Sequence, residues 1–221
     1  HLRINEIYFS IQGESTHAGR PCIFIRLTYC NIRCSYCDTE YAFQDGNDME
    51  ISEILDKIKQ WGCKLVEVTG GEPLFQDECS DLLKELIQHG YEVLLETGGS
   101  LSVKDVPREV IKIVDFKCPS SGMSEKNLWS IIDDLMPYDE VKFVIGDRED
   151  FDWAGKMLDK YSLSKKCTVL FSPIFNGIDP SLIADWILEE HLPVRMQIQL
   201  HKHIWKPETK EFSHVAARLK S

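Results

Sequence analysis

Apolar positions along this chain fall into two rhythms that take turns, a solid run or a period of two and then a period of 3.6, which predicts strands followed by helices. Residues 3–9 alternate Ile4 and Ile7 with polar neighbours, the pattern of an edge strand, and lead into the turn Gln12-Gly13-Glu14. Residues 21–28 are denser in apolar side chains, as strands covered on both faces are, and form the first buried strand. From 49 to 61, Ile51, Ile54, Leu55, Ile58 and Trp61 recur at helical spacing, and Gly62 closes that helix. A strand over 64–69, a helix over 74–89 ending at Gly90, and strands over 91–96 and 111–117 follow. A helix over 125–136, capped by Ser124 and stopped before Pro137, leads to a strand over 140–145. Next come a helix over 148–161 with Asp147 as cap, a strand over 167–171, a helix opened by Asp179-Pro180, and a last strand over 194–200.

Repeated β-then-α with buried strands argues an α/β fold with a mostly parallel sheet and helices outside. About six or seven strands fall short of the eight that a closed (β/α)8 barrel needs, so a partial, open barrel is expected. No linker composition or internal repeat interrupts it, and residues 1–221 read as a single domain. Sites in such folds lie beyond the carboxyl ends of the strands. Here those ends are polar or glycine-rich.

The formal charge is −11, from 36 acidic and 25 basic residues, and no Lys/Arg stripe could track a phosphate backbone, which argues against nucleic acid as a partner. No apolar run approaches the roughly 20 residues of a membrane span, and no basic segment precedes a short apolar one, so a cytoplasmic protein with no membrane partner is expected. Eight cysteines in 221 residues are too dilute for a disulfide scaffold.

Three of the eight thiols stand out. Cys30, Cys34 and Cys37 follow the first buried strand at spacing C-x-x-x-C-x-x-C, within a loop over 30–37 that carries Tyr36 just before the last thiol. Three thiolates from one loop can hold three irons of a 4Fe-4S cluster and leave the fourth open, whereas a structural zinc or closed cluster needs a fourth ligand. Cys22, the nearest candidate for that ligand, sits in an apolar strand and reads as a buried thiol. After the strand over 64–69 come Gly70-Gly71-Glu72-Pro73, where two glycines let the backbone approach a ligand closely; a plain strand-to-helix turn with Pro73 at the first helical position is the alternative.

The cysteine loop resembles the cluster loop of the radical S-adenosylmethionine superfamily. Its surroundings resemble the 7-carboxy-7-deazaguanine synthase family: Ser10-Ile11-Gln12-Gly13-Glu14-Ser15, Ala18-Gly19-Arg20-Pro21, Cys37-Asp38-Thr39 and Thr69-Gly70-Gly71-Glu72-Pro73. The resemblance spans about residues 4–207, with its specific motifs in the first third. It implies a 4Fe-4S cluster on Cys30, Cys34 and Cys37 whose open iron binds S-adenosylmethionine. One electron from a donor such as flavodoxin or ferredoxin then yields a 5′-deoxyadenosyl radical. It further implies 6-carboxy-5,6,7,8-tetrahydropterin as substrate, contracted to 7-carboxy-7-deazaguanine with loss of ammonia on the route to queuosine, assisted by Mg²⁺; a homodimer is a possibility left open.

Residue by residue, the resemblance puts Gly70, Gly71 and Glu72 at the methionine end of the cofactor, Tyr36 near its adenine and Glu96 at its ribose. Asp115, Phe116 and Lys117, with Ser172, Pro173, Ile174 and Phe175, match weaker cofactor-lining segments. Ile11, Gln12, Gly13 and Glu14 can meet the pterin's amino-pyrimidinone edge, Arg26 suits its carboxylate, and Thr69 and His201 match other family positions near the substrate. Thr39 would bind Mg²⁺ through oxygen. Alone, Asp38-Thr39 reads as a turn or cap, Glu96 as a solvated acid and Arg26 as a surface cation. Some family members end at the proline matching Pro207; here 208–221 continue, which puts a role for Pro207 in doubt. Two rivals remain at this point: an activase that installs a glycyl radical on a partner protein, and a non-catalytic iron-sulfur or zinc module.

Overall fold

The computed structural model describes residues 1–205; Pro207 and residues 208–221 lie outside the described residues. Nine strands form one sheet, and seven of them run parallel as consecutive neighbours. In sheet order these are β2 (Pro21–Leu27), β4 (Leu65–Gly70), β5 (Glu92–Thr97), β6 (Ile111–Phe116), β7 (Glu140–Ile145), β8 (Thr168–Pro173) and β9 (Arg195–Met196). The hairpin partner β1 (Leu2–Ile11) adds antiparallel to β2, and β3 (Asn47–Met49) adds antiparallel to β1. Among the described residues neither end of the sheet pairs with the other, so the barrel is open, as expected. The edge expected at residues 3–9 belongs instead to β3, whose three residues pair Leu2 with Met49 through Ile4 with Asn47.

Alternation along each strand sorts side chains into two cores. Val66 and Val68 of β4, Val93 and Leu95 of β5, Val114 and Phe116 of β6, and Val141 and Phe143 of β7 face outward. There they pack with Ile54, Leu55 and Ile58 of α1 (Ile51–Lys59), Leu82, Leu83 and Leu86 of α2 (Cys79–Gln88) and Phe151, Ala154 and Leu158 of α3 (Arg148–Lys160). Each large side chain buried there contributes about 1.5–3 kcal/mol. The opposite faces meet inside the barrel, where Cys22, Phe24, Leu65, Leu94 and Ile113 form a separate apolar floor. Above that floor the next inward positions are polar.

Helix ends follow their caps. Glu50 and Glu53 form a reciprocal capping box on α1, Asp147 accepts from the Asp150 N–H to start α3, and Asp179 with Pro180 opens α4 (Pro180–Glu189). Three expectations need correction. The helix expected over 74–89 begins only at Cys79, after a separate 3-10 turn Pro73–Phe75. The helix expected over 125–136 is two 3-10 turns, Ser124–Lys126 and Trp129–Asp134, and Ser124 caps nothing. Partners outside the segment hold it in that form: the Asn127 side-chain amide bonds both backbone groups of Lys117, and the Leu128 N–H donates to the Gly99 carbonyl. Trp129 is thereby laid between Phe116 and Tyr161, with ring centroids 4.6 Å from each. The strand expected over 194–200 pairs only at Arg195 and Met196. The chain then turns into the short helix α5 (Leu200–Ile204), because the Leu200 N–H reaches the Gly13 carbonyl at 2.9 Å.

Candidate active site

The cysteine loop leaves the carboxyl end of β2 and is pinned on several sides. Tyr29, at φ 78°, turns the chain, and its N–H donates to Ala42 at 2.9 Å. Arg33 donates to the carbonyls of Cys30 and Ile32 at 2.7 Å, and Ser35 donates to the carbonyls of Ser120 and Ser121. Cys30, Cys34 and Cys37 are half-buried free thiols facing one cavity of about 400 Å³, a volume suited to small-molecule ligands. Burial pushes the Cys34 thiol up to about 11 and raises Cys30, with Lys117 pulling both the other way. Cys22, Cys79, Cys118 and Cys167 are buried in the cores, and none of the four lines this cavity.

Gly70 and Gly71 are required by this loop. A Cβ on Gly71 would fall 2.2 Å from the Tyr29 carbonyl oxygen and 2.8 Å from Cys30 Cβ, and one on Gly70 would fall 2.6 Å from the Leu27 carbonyl oxygen. The Gly71 and Glu72 N–H groups donate to Leu27 and Tyr29, which stitches the loop to the end of β4. Glu72 is fully buried behind the cavity, not at its wall: its carboxylate accepts from Leu74 N–H at 3.0 Å, Thr97 Oγ1 at 2.8 Å and Gly98 N–H at 2.7 Å. It ties two strand ends together. Phe116 likewise points outward into the helix-side core against Trp129, so its side chain does not reach the cavity.

The other residues singled out from the sequence line the same cavity, and a residue not among them organises several. Lys142, on the inward phase of β7, is buried and its ammonium meets Glu14 at 2.9 Å, Asp115 at 3.4 Å and Glu96. Burial works against ionisation of Glu14, yet Lys142 and the Gln199 amide hold its carboxyl down at about 2. Glu96 is raised by burial. Glu67, also inward and also not singled out, carries a carboxyl pushed well up by burial and by Glu96 and Glu14. Both were legible in principle: in Leu65-Val66-Glu67-Val68-Thr69 and in Glu140-Val141-Lys142-Phe143-Val144, the central charged residue shares the phase of the inward positions.

Arg26 is no surface cation. Its guanidinium donates to Glu6 at 2.8 Å and to the Tyr8 hydroxyl at 3.2 Å while facing the cavity beside Thr69, its partner in the β2–β4 register. Gln12 is buried, and its Oε1 accepts from the Glu14 N–H at 3.0 Å. Gly13 sits so close to His201 that a Cβ would meet Nδ1 at 2.0 Å. Thr39 precedes a 3-10 turn without capping it, and its hydroxyl lies 3.7 Å from Cys37 Sγ. Asp38 is engaged by Lys202 at 2.5 Å and Gln199 at 3.4 Å.

The donor set suits the groups that a cluster and a nucleoside cofactor require. Among the described residues no three His, Cys, Asp or Glu side chains converge as ligands of one ion do; the loop thiols instead share a cavity, as when each thiolate takes its own iron. Asp115 Oδ1 and the Tyr36 hydroxyl are buried without a hydrogen-bond partner among the described residues, and both residues line that cavity. Buried polar atoms of this kind call for a bound partner.

The profile of the Radical SAM superfamily matches residues 24–119, the stretch from β2 through the cysteine loop to the end of β6. A 7-carboxy-7-deazaguanine synthase of Koribacter versatilis is 44% identical, the match covering 95% of this chain and 99% of the relative. One of Chlorobaculum tepidum is 43% identical over 95% of this chain and 96% of the relative. In structure, QueE from Escherichia coli superposes with a TM-score of 0.75 at 23% identity, covering 90% of this chain and 94% of that one, a likeness of fold. Neither a glycyl-radical activase nor a passive metal module accounts for a match of that extent, and the chain belongs to the 7-carboxy-7-deazaguanine synthase family of radical S-adenosylmethionine enzymes.

Proposed function

We propose that this cavity binds S-adenosylmethionine beside 6-carboxy-5,6,7,8-tetrahydropterin and contracts the pterin to 7-carboxy-7-deazaguanine with release of ammonia, assisted by Mg²⁺. The observation that carries the reading is the division of one cavity by sheet order. Strands β1, β2 and β4 bring Ile11, Arg26 and Thr69, with the following Gln12 to Glu14 turn, whereas β5, β6, β7 and β8 bring Glu96, Asp115, Lys142 and Ser172. The cluster on Cys30, Cys34 and Cys37, with S-adenosylmethionine, supplies the radical that starts the reaction. The chain's own residues supply placement and shielding.

Tyr36, Asp115 and Lys117, with Gly70, Gly71 and residues 172–175, hold the cofactor, Asp115 and Tyr36 through their unpartnered atoms. Arg26 neutralises the substrate carboxylate, aimed by Glu6 and Tyr8. Gln12, Gly13 and Glu14 face the amino-pyrimidinone edge, Thr69 and His201 flank it, and the Thr39 hydroxyl would hold Mg²⁺ as an oxygen ligand. The reductant is a small electron-transfer protein such as flavodoxin or ferredoxin. A cytoplasmic location suits a loop of exposed thiolates, which needs reducing conditions; among the described residues no helix is long and apolar enough to cross a membrane.

Product formation across a Mg²⁺ titration tests the assignment. Thr39→Val keeps the shape and removes the oxygen, so turnover falls and loses most of its response to added Mg²⁺ while cluster absorbance is unchanged. Arg26→Ala weakens the carboxylated pterin by roughly 30-fold or more and S-adenosylmethionine much less. A wild type indifferent to Mg²⁺, or equal loss of both ligands in Arg26→Ala, contradicts these roles.

A further inference from the structure

Glu67 is a carboxyl on the cavity wall that the roles above leave unused. It projects inward from the middle of β4, between the apolar floor residue Leu65 and the cavity residue Thr69, and keeps only 3% of its surface exposed. Its carboxyl oxygen Oε2 accepts a hydrogen bond from Gln12 Nε2. The Gln12 amide has no freedom in this arrangement. The Glu14 N–H can only donate, so the amide oxygen must face it, and the amide nitrogen must face Glu67.

We propose that Glu67 is a positioning residue for substrate specificity, which locks the Gln12 amide in one orientation against the amino-pyrimidinone edge of the pterin. The inference rests on the synthase reading. Because Gln12 donates to Oε2, a proton on the Glu67 carboxyl belongs on the other oxygen. Burial, with Glu96 and Glu14 nearby, keeps that proton in place, although Lys142 and Arg26 act against it. In that form the carboxyl is the counterpart of a primary amide: one oxygen accepts from Gln12 and the other atom donates. Released from Glu67, the Gln12 amide would still meet Glu14 but would lose the partner that holds its nitrogen end. The pterin edge, with one acceptor beside two donors, would then face a loose partner instead of a fixed one.

Equilibrium binding of 7-carboxy-7-deazaguanine, which carries the same amino-pyrimidinone edge, separates the possibilities, with S-adenosylmethionine affinity and cluster absorbance as controls. Glu67→Leu is expected to weaken the product by roughly 5- to 100-fold and to leave the controls unchanged. Glu67→Gln is expected to bind like the wild type. Glu67→Asp, which withdraws the carboxyl from Gln12, should repeat the loss if the leucine variant does not fold. In a Gln12→Ala background, Glu67→Leu should add little, since its effect passes through Gln12. Wild-type affinity in both Glu67→Leu and Glu67→Asp, full additivity with Gln12→Ala, or a Glu67→Gln as weak as Glu67→Leu overturns the proposal. A wild type that binds neither product nor pterin removes the synthase reading, and this inference with it.

Discussion

Glu14 carries a pH dependence that can be read with its sign. Burial raises and Lys142 lowers its carboxyl, and the balance leaves it at about 2, below the ordinary value of 4.5. A depressed carboxyl stabilises the fold fully above its unfolded value and loses that contribution as pH falls from 4.5 towards about 2. Glu67 and Glu96 are shifted the other way, so the wild-type curve mixes signs and the comparison must isolate Glu14. The unfolding midpoint of the wild type minus that of Glu14→Gln should shrink as pH is lowered from about 5 to about 3. A constant difference across that range would mean Glu14 is not held by Lys142. The cysteines give a second residue-scale expectation. Cys30→Ala, Cys34→Ala and Cys37→Ala each lose the cluster after anaerobic reconstitution, whereas Cys22→Ala, whose thiol is buried in the barrel floor, retains its iron. Iron and sulfide analysis distinguishes the two classes, and loss of cluster in Cys22→Ala alone would count against the three-thiol assignment.

At the scale of elements, the join between β4 and the cysteine loop is the most constrained feature. Gly71 lies against the Tyr29 carbonyl and Cys30, so Gly71→Ala must push the loop aside. The expected result is a stability loss of about 1–3 kcal/mol together with weakened cluster retention, measured by denaturant unfolding and by cluster absorbance over time. Unaltered retention would show that the loop tolerates displacement. The elements themselves were largely legible in the sequence because strands covered on both faces and helices with one apolar stripe leave different periods. Asp147 and Asp179 were legible as caps for the same reason, their short acidic side chains standing just before helical spacing begins. What escaped depends on tertiary partners. Residues 125–136 have a helix-like composition, yet Asn127 and Leu128 bond to Lys117 and Gly99 in other segments. Residues 198–200 leave the sheet because Leu200 pairs with Gly13. Lys142 and Glu67 are hidden in strands that read as single apolar runs, and only the alternation of the two faces brings them out. The cysteine loop stands out by its spacing, whereas the glycine corner on its own reads equally as a plain strand-to-helix turn; that Glu72 and Phe116 turn away from the cavity depends on which side of a strand end faces the helices, which spacing does not show.

Across the whole molecule, the cavity is built from both ends of the described chain. The turn after β1 is held by the segment after β9: Ser15 N–H donates to Gln197 Oε1 at 2.7 Å, and Gln199 Nε2 donates to Glu14 at 2.8 Å. Lys202 in turn reaches Asp38 beside the cysteine loop. The open side of the barrel is thereby bridged by polar contacts near the site, while the apolar floor closes it below. Such an arrangement surrounds a small polar substrate and leaves the cysteine loop at the rim. An enclosure of this kind should direct radical chemistry onto a carboxylated pterin. This is tested most directly by anaerobic turnover of the reconstituted protein with a reductant, S-adenosylmethionine and 6-carboxy-5,6,7,8-tetrahydropterin, the products being identified by mass. The expected product is 7-carboxy-7-deazaguanine, formed over many turnovers and absent when the pterin lacks its carboxylate. Cleavage of S-adenosylmethionine with the pterin recovered intact would contradict it.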